Sequence, residues 1–216
     1  MSDRITSFLI TMAILIIGVT LHEFAHAFAA DRLGDDTPRR QGRLSLLPPD
    51  HLDPLGTLMM ALTAWFGFGL GWGKPVLTNP SRFRNPRRDQ GVVAFAGPLS
   101  NILQAVAFAL VIRFIPGLVR DSGGYLSPLG MFLILGVTIN LALAFVNLLP
   151  LSPLDGSWIV TALLPARQAY AYQTWMARYG PLVFLLLVLV FRDLVGVILE
   201  PPVAFARDLL LSGAAF

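Results

Sequence analysis

The sequence has no cysteine. That excludes disulfides and thiolate metal sites, so any metal ion must be held by His, Asp or Glu. Charge is scarce as well. Asp, Glu, Lys and Arg make up 13% of the 216 residues, against about 25% in a typical soluble domain. Hydrophobic residues reach 55% and the mean hydropathy is +0.67. An ordinary soluble domain is thereby excluded, and the chain falls in the membrane class. Internal repeats, low-complexity tracts and an aromatic-interleaved basic patch are all lacking, so no nucleic-acid partner is expected. The net charge of +3 and pI near 9.8 reflect arginines gathered in loops, which membrane topology accounts for.

A cleaved signal peptide is not expected, although Ala27-Phe28-Ala29 could pass for a cleavage site. Asp3 offsets Arg4, and the apolar stretch 5–21 exceeds the roughly 7–15 residues of a signal core. A span needs about 20 mostly apolar residues. Residues 5–30 qualify, interrupted only by His22, Glu23 and His26. Residues 90–112 and 129–149 read as clean spans. The stretch 55–72 is apolar but glycine-rich at its end, with Gly67, Gly69 and Gly71 followed by Gly73. Residues 179–191 are apolar but short, and the tail from Pro201 suits the membrane surface. The reading is an all-α polytopic membrane protein. It has roughly four to six transmembrane helices and a membrane-inserted re-entrant or β-like loop. Residues 1–216 form a single membrane-embedded domain with no room for a second, soluble one.

His22-Glu23-Phe24-Ala25-His26 carries the chemistry. Residues four apart share a helix face. Two imidazoles so placed can bind one zinc ion, and the adjacent Glu can act on a zinc-bound water. The pattern lies inside a span, where ionisable groups are costly and usually functional. The bland alternative is a helix end meeting the interface. A catalytic zinc usually takes a third protein ligand. The chain has three histidines, so the candidates are His51 or a carboxylate such as Asp155. Asp155 could instead be a helix cap, and His51 an ordinary loop residue.

Depth separates these options. If 55–72 crossed the membrane, Asp155 would lie far from the histidines. If it dips in and returns, the 129–149 span ends on the side where the first span exits, and Asp155 reaches their depth. All nine Lys and Arg between residues 32 and 88 then share that side, which the positive-inside rule makes cytoplasmic. Re-entrant backbone is tolerated where protein or a watery cavity covers it.

Four segments resemble the site-2 protease family of intramembrane zinc metalloproteases. They are His22-Glu23-Phe24-Ala25-His26; Gly71-Trp72-Gly73-Lys74-Pro75-Val76, with Asn79-Pro80 and Phe83-Arg84-Asn85-Pro86-Arg87-Arg88; Ala96-Gly97-Pro98-Leu99-Ser100-Asn101; and Asn147-Leu148-Leu149-Pro150 running to Leu154-Asp155-Gly156. The likeness covers about residues 8–160, leaving 161–216 as C-terminal helices. It implies one zinc ion held by His22, His26 and Asp155, with Glu23 as catalytic base. It also implies that Asn147 holds substrate or oxyanion. The chain resembles compact members without a PDZ or CBS domain. The expected activity is hydrolysis of peptide bonds in or near transmembrane segments of substrate proteins. The expected place is a prokaryotic plasma membrane, with the site toward the cytoplasm. A non-enzymatic channel or transporter using His22, Glu23 and His26 as an ion site is the rival reading. It would favour inverted repeats, which are absent.

Overall fold

Apolar runs of this length can satisfy their backbone in lipid as helices. The computed structural model describes residues 2–67 and 71–213. Among the described residues the helices are α1 (Ser2–Arg32), α2 (Thr37–Arg40), α3 (Pro54–Phe66), α4 (Pro86–Phe114), α5 (Pro128–Asn147), α6 (Gly156–Leu163), α7 (Ala166–Leu189) and α8 (Arg192–Leu211). Three of them, α1, α4 and α5, are long and apolar enough to cross a membrane. The pair α7–α8, bent by 87°, makes a fourth if it counts as one broken span. This meets the lower end of the expected four to six.

The helix pairs fix the direction of each span. His22 meets Asn101 and His26 meets Val93, so α1 and α4 run antiparallel. Asn101 meets Asn140, and Phe108 lies beside Gly136, so α5 runs back alongside α1. Between α4 and α5 sits a core of Ala105, Ala109, Ile112, Val119, Leu133, Val137 and Leu141. Small residues on α4 allow this close approach. Segment 33–85 therefore leaves and rejoins the bundle at one end, where α5 also stops.

Within that segment, α3 starts on Pro54 with the Asp53 carboxylate accepting the Gly56 N–H at 2.8 Å. It ends at Gly67 in the left-handed region, φ +76°. Both ends carry their usual cap chemistry. Thirteen residues make a helix about 20 Å long, short of the roughly 30 Å hydrocarbon core. Its far end reaches the start of α1, where Trp65 packs edge-on against Phe8 and under the Arg4 guanidinium. By Gly73 the chain is back. Leu52 and Gly73 form a single antiparallel bridge, and the Lys74 N–H donates to the His51 carbonyl at 2.7 Å. Buried Arg43 ties the mouth by donating to the carbonyls of Asp50, Lys74 and Pro75.

The excursion returns to the end of the bundle it left, but its first limb is an α-helix and no strand occurs among the described residues. Leu, Met and Ala dominate that limb and favour a helix. Residues 68–70, including Gly69 of the expected irregular stretch, lie outside the described residues. At the other terminus α8 continues through Pro201 and Pro202, and its Val203, Ala206, Leu210 and Leu211 pack on the α4–α5 core. The expected surface tail is thus part of the bundle.

Candidate metal centre

His22 and His26 lie one turn apart on α1, both 8% exposed. Asp155 stands at the N-cap position of α6, where an aspartate usually turns its carboxylate to the helix N–H groups. Asp155 makes no such bond, and its backbone is already helical at φ −58°, ψ −36°. Its Oδ2 lies 3.1 Å from His22 Nε2 and its Oδ1 lies 3.3 Å from His26 Nε2. The following glycine makes this fold-back possible. A Cβ at Gly156 would stand 2.2 Å from the Leu149 carbonyl oxygen and 2.4 Å from that of Leu148.

Backbone carbonyls decide the protonation of both rings. His26 Nδ1 lies 2.7 Å from the Val93 carbonyl, which can only accept, so Nδ1 carries the hydrogen. Pro98 within α4 removes the N–H that would serve the Ala94 carbonyl. The same turn presents Val93 to His26. His22 Nδ1 lies 2.7 Å from Asn101 Oδ1. The amide nitrogen of Asn101 faces the Gly18 carbonyl, so its oxygen is the atom turned to the His22 ring. The two Nε2 atoms, on the far side of the rings from these contacts, stand 3.0 Å apart.

The two Nε2 atoms and a buried carboxylate converge within 3.3 Å of one another. Asp155 Oδ2 has no hydrogen-bond partner. That donor set fits a cation. Ligands about 2.0–2.1 Å from a tetrahedral zinc stand about 3.3 Å from one another, and the three separations here are close to that. Among the described residues, His22, His26 and Asp155 form a group that could hold a metal ion. Gly97 of α4 passes directly beneath the rings. A Cβ there would lie 2.4 Å from His26 Nε2 and 2.6 Å from His22 Cε1.

Glu23 lies between the two histidines in sequence, and its Oε2 is buried without a hydrogen-bond partner. Gly73 runs against it. A Cβ at Gly73 would stand 3.0 Å from Glu23 Cγ and 3.1 Å from Oε1. Asn147 is placed differently. Its amide donates to the Leu143 carbonyl of its own helix at 3.0 Å and to none of these side chains. His51 is fully buried in the loop, with Nε2 donating to the Ser45 carbonyl at 2.7 Å. It is not part of the cluster. The sequence did not single out Asn101 as a partner of the centre.

Comparison with known proteins places the chain in a family. Residues 76–191 match Peptidase family M50. That stretch contains Asn101, Asn147 and Asp155 but begins after His22 and His26. YwhC of Bacillus subtilis (strain 168), which bears a zinc metalloprotease name, is 38% identical over 199 residues, covering 91% of this chain and 87% of the relative. Rip2 of Mycobacterium tuberculosis (strain ATCC 25618 / H37Rv), similarly named, is 30% identical over 155 residues. The match covers 69% of this chain and 55% of Rip2. Rip2 of Mycolicibacterium smegmatis is 27% identical over 153 residues, with the same coverage. No solved structure matches the chain. With its helical membrane-spanning fold and a His-His-Asp cluster inside it, the chain belongs to peptidase family M50, the site-2 proteases, and so to the membrane metalloproteases.

Proposed function

We propose that this protease cuts peptide bonds in or beside transmembrane segments of other membrane proteins. Its zinc is held by His22, His26 and Asp155. The observation that carries this reading is the meeting of two Nε2 lone pairs and an uncapped carboxylate inside the bundle, beside a buried glutamate. When bound, zinc supplies Lewis-acid polarisation of a carbonyl and acidification of water. Glu23 accepts the proton of the attacking water and returns it to the leaving amine. Asn147 holds the substrate carbonyl or the developing oxyanion, which requires its amide to leave Leu143. The chain beside Gly73 offers an extended edge against which an unwound substrate can lie. Residues 1–216 act as one membrane-embedded unit in a prokaryotic plasma membrane. The site faces the cytoplasm, because the end of the bundle near it carries the basic segment 32–88.

Glu23→Gln tests the assignment. Glutamine matches glutamate in size and leaves the three proposed ligands in place. It cannot accept the water proton, and general-base help is worth about 10²–10⁴-fold in rate. The purified variant should bind zinc as the wild type does and cleave a test transmembrane substrate at least a hundredfold more slowly. Cleavage at the wild-type rate would remove Glu23 from its role.

A further inference from the structure

An asparagine buried in an apolar bundle must place four hydrogen-bonding positions without water. Two such residues stand next to the centre. Asn101 is 0% exposed and Asn140 is 1% exposed. Asn140 Nδ2 donates to the Gly136 carbonyl of its own helix at 2.9 Å. Asn140 Oδ1 accepts from Asn101 Nδ2 at 2.9 Å. Asn101 Nδ2 also donates to the Gly18 carbonyl of α1 at 3.2 Å. Asn101 Oδ1 accepts from His22 Nδ1 at 2.7 Å. The chain of bonds therefore runs from α5 through α4 to the metal-facing ring on α1. Gly18 leaves room for it. A Cβ there would stand 3.2 Å from Asn140 Oδ1.

We propose that Asn140 and Asn101 are positioning residues that lock His22 in the Nδ1–H tautomer, leaving its Nε2 lone pair for the metal. The direction of every bond is set by a backbone carbonyl. The Gly136 carbonyl fixes Asn140 with its oxygen toward Asn101. Gly18 and that oxygen together fix the Asn101 nitrogen. Were Asn101 to flip, its oxygen would face two other acceptors. Its NH₂ would face His22 Nδ1, which would then have to accept. The ring hydrogen would move to Nε2, and the metal would lose a ligand. Asn140 supplies the second of the two acceptors that forbid this flip. His26 needs no such device, because a carbonyl oxygen cannot exchange roles. Partners of this kind orient metal-bound histidines, and their loss typically weakens metal binding 10–100-fold.

This inference rests on His22 being a ligand, so the test separates the two claims. The chain has three histidines, so ¹⁵N ring spectra of labelled protein resolve each one. In chelator-treated wild type, at a pH where the rings are neutral, His22 should carry its hydrogen on Nδ1. Asn101→Leu should release that preference and weaken zinc binding 10–100-fold in a chelator competition. Asn140→Leu should shift both readouts in the same direction as Asn101→Leu, by less. A wild-type His22 hydrogen on Nε2 overturns the proposal. So does wild-type zinc affinity in Asn101→Leu. Should Asn101→Leu not fold, the wild-type spectrum and Asn140→Leu decide the matter. Wild-type zinc affinity in His22→Ala would instead strike at the ligand assignment itself.

Discussion

A methyl group at position 97 would overlap both imidazoles, so the smallest possible substitution tests the centre. Overpacking of this kind costs about 1–3 kcal/mol. We expect Gly97→Ala to stay folded and to weaken zinc binding about tenfold to hundredfold by chelator competition. Gly117→Ala meets nothing within 4 Å and serves as the control that leaves zinc unchanged. Equal affinities in both variants would place the imidazoles elsewhere. At this scale the sequence was partly transparent. His22, Glu23 and His26 were readable from their spacing inside an apolar run. Asp155 was readable only through depth and resemblance, because a cap and a ligand look alike in sequence. Its helical φ and ψ and missing cap bond speak against the cap. Asn101 and Asn140 were not readable, since an asparagine in a span can equally bond back to its own helix, as Asn147 does.

Among the elements, α3 decides the topology. Both its entry and its return lie at the Leu52–Gly73 bridge, so the flanking loops should share one face of the membrane. The absence of cysteine gives a clean background for labelling. Ser45→Cys and Arg84→Cys should react with an impermeant thiol reagent from the same side. Ser122→Cys, in the turn between α4 and α5, should react from the other. Opposite accessibility of positions 45 and 84 would make α3 a full crossing. The charge distribution favoured a segment that turns back, and its two ends do meet at that bridge. The segment's helical form was not legible, because the glycines after residue 66 drew attention away from the helix formers before it. The start of α7 was hidden by Arg167, Gln168 and Arg178, which break the apolar run without breaking the helix. Pro201 and Pro202 read as an ending, yet α8 accommodates both.

For the molecule as a whole, the proposed ion joins α1 to the turn after α5. A ligand that binds the folded state alone stabilises it in proportion to the logarithm of its excess over Kd, about 4 kcal/mol at a thousandfold excess. Chelation should therefore lower the unfolding temperature of the wild-type protein by several degrees. Asp155→Ala should abolish that difference. His51→Ala should keep it, because His51 serves the loop through Ser45. A chelator effect lost in His51→Ala and kept in Asp155→Ala would exchange their roles.

The separation of the ligands along the chain also sets an order of events during biosynthesis. His26 and Asp155 stand 129 residues apart. At about 5–20 residues per second a ribosome takes roughly 6–26 s to add the second after the first. Throughout that interval the nascent chain holds two of its three proposed ligands, and α5 has yet to bring up the third. Until Asp155 has been added, the proposed three-ligand site cannot be completed.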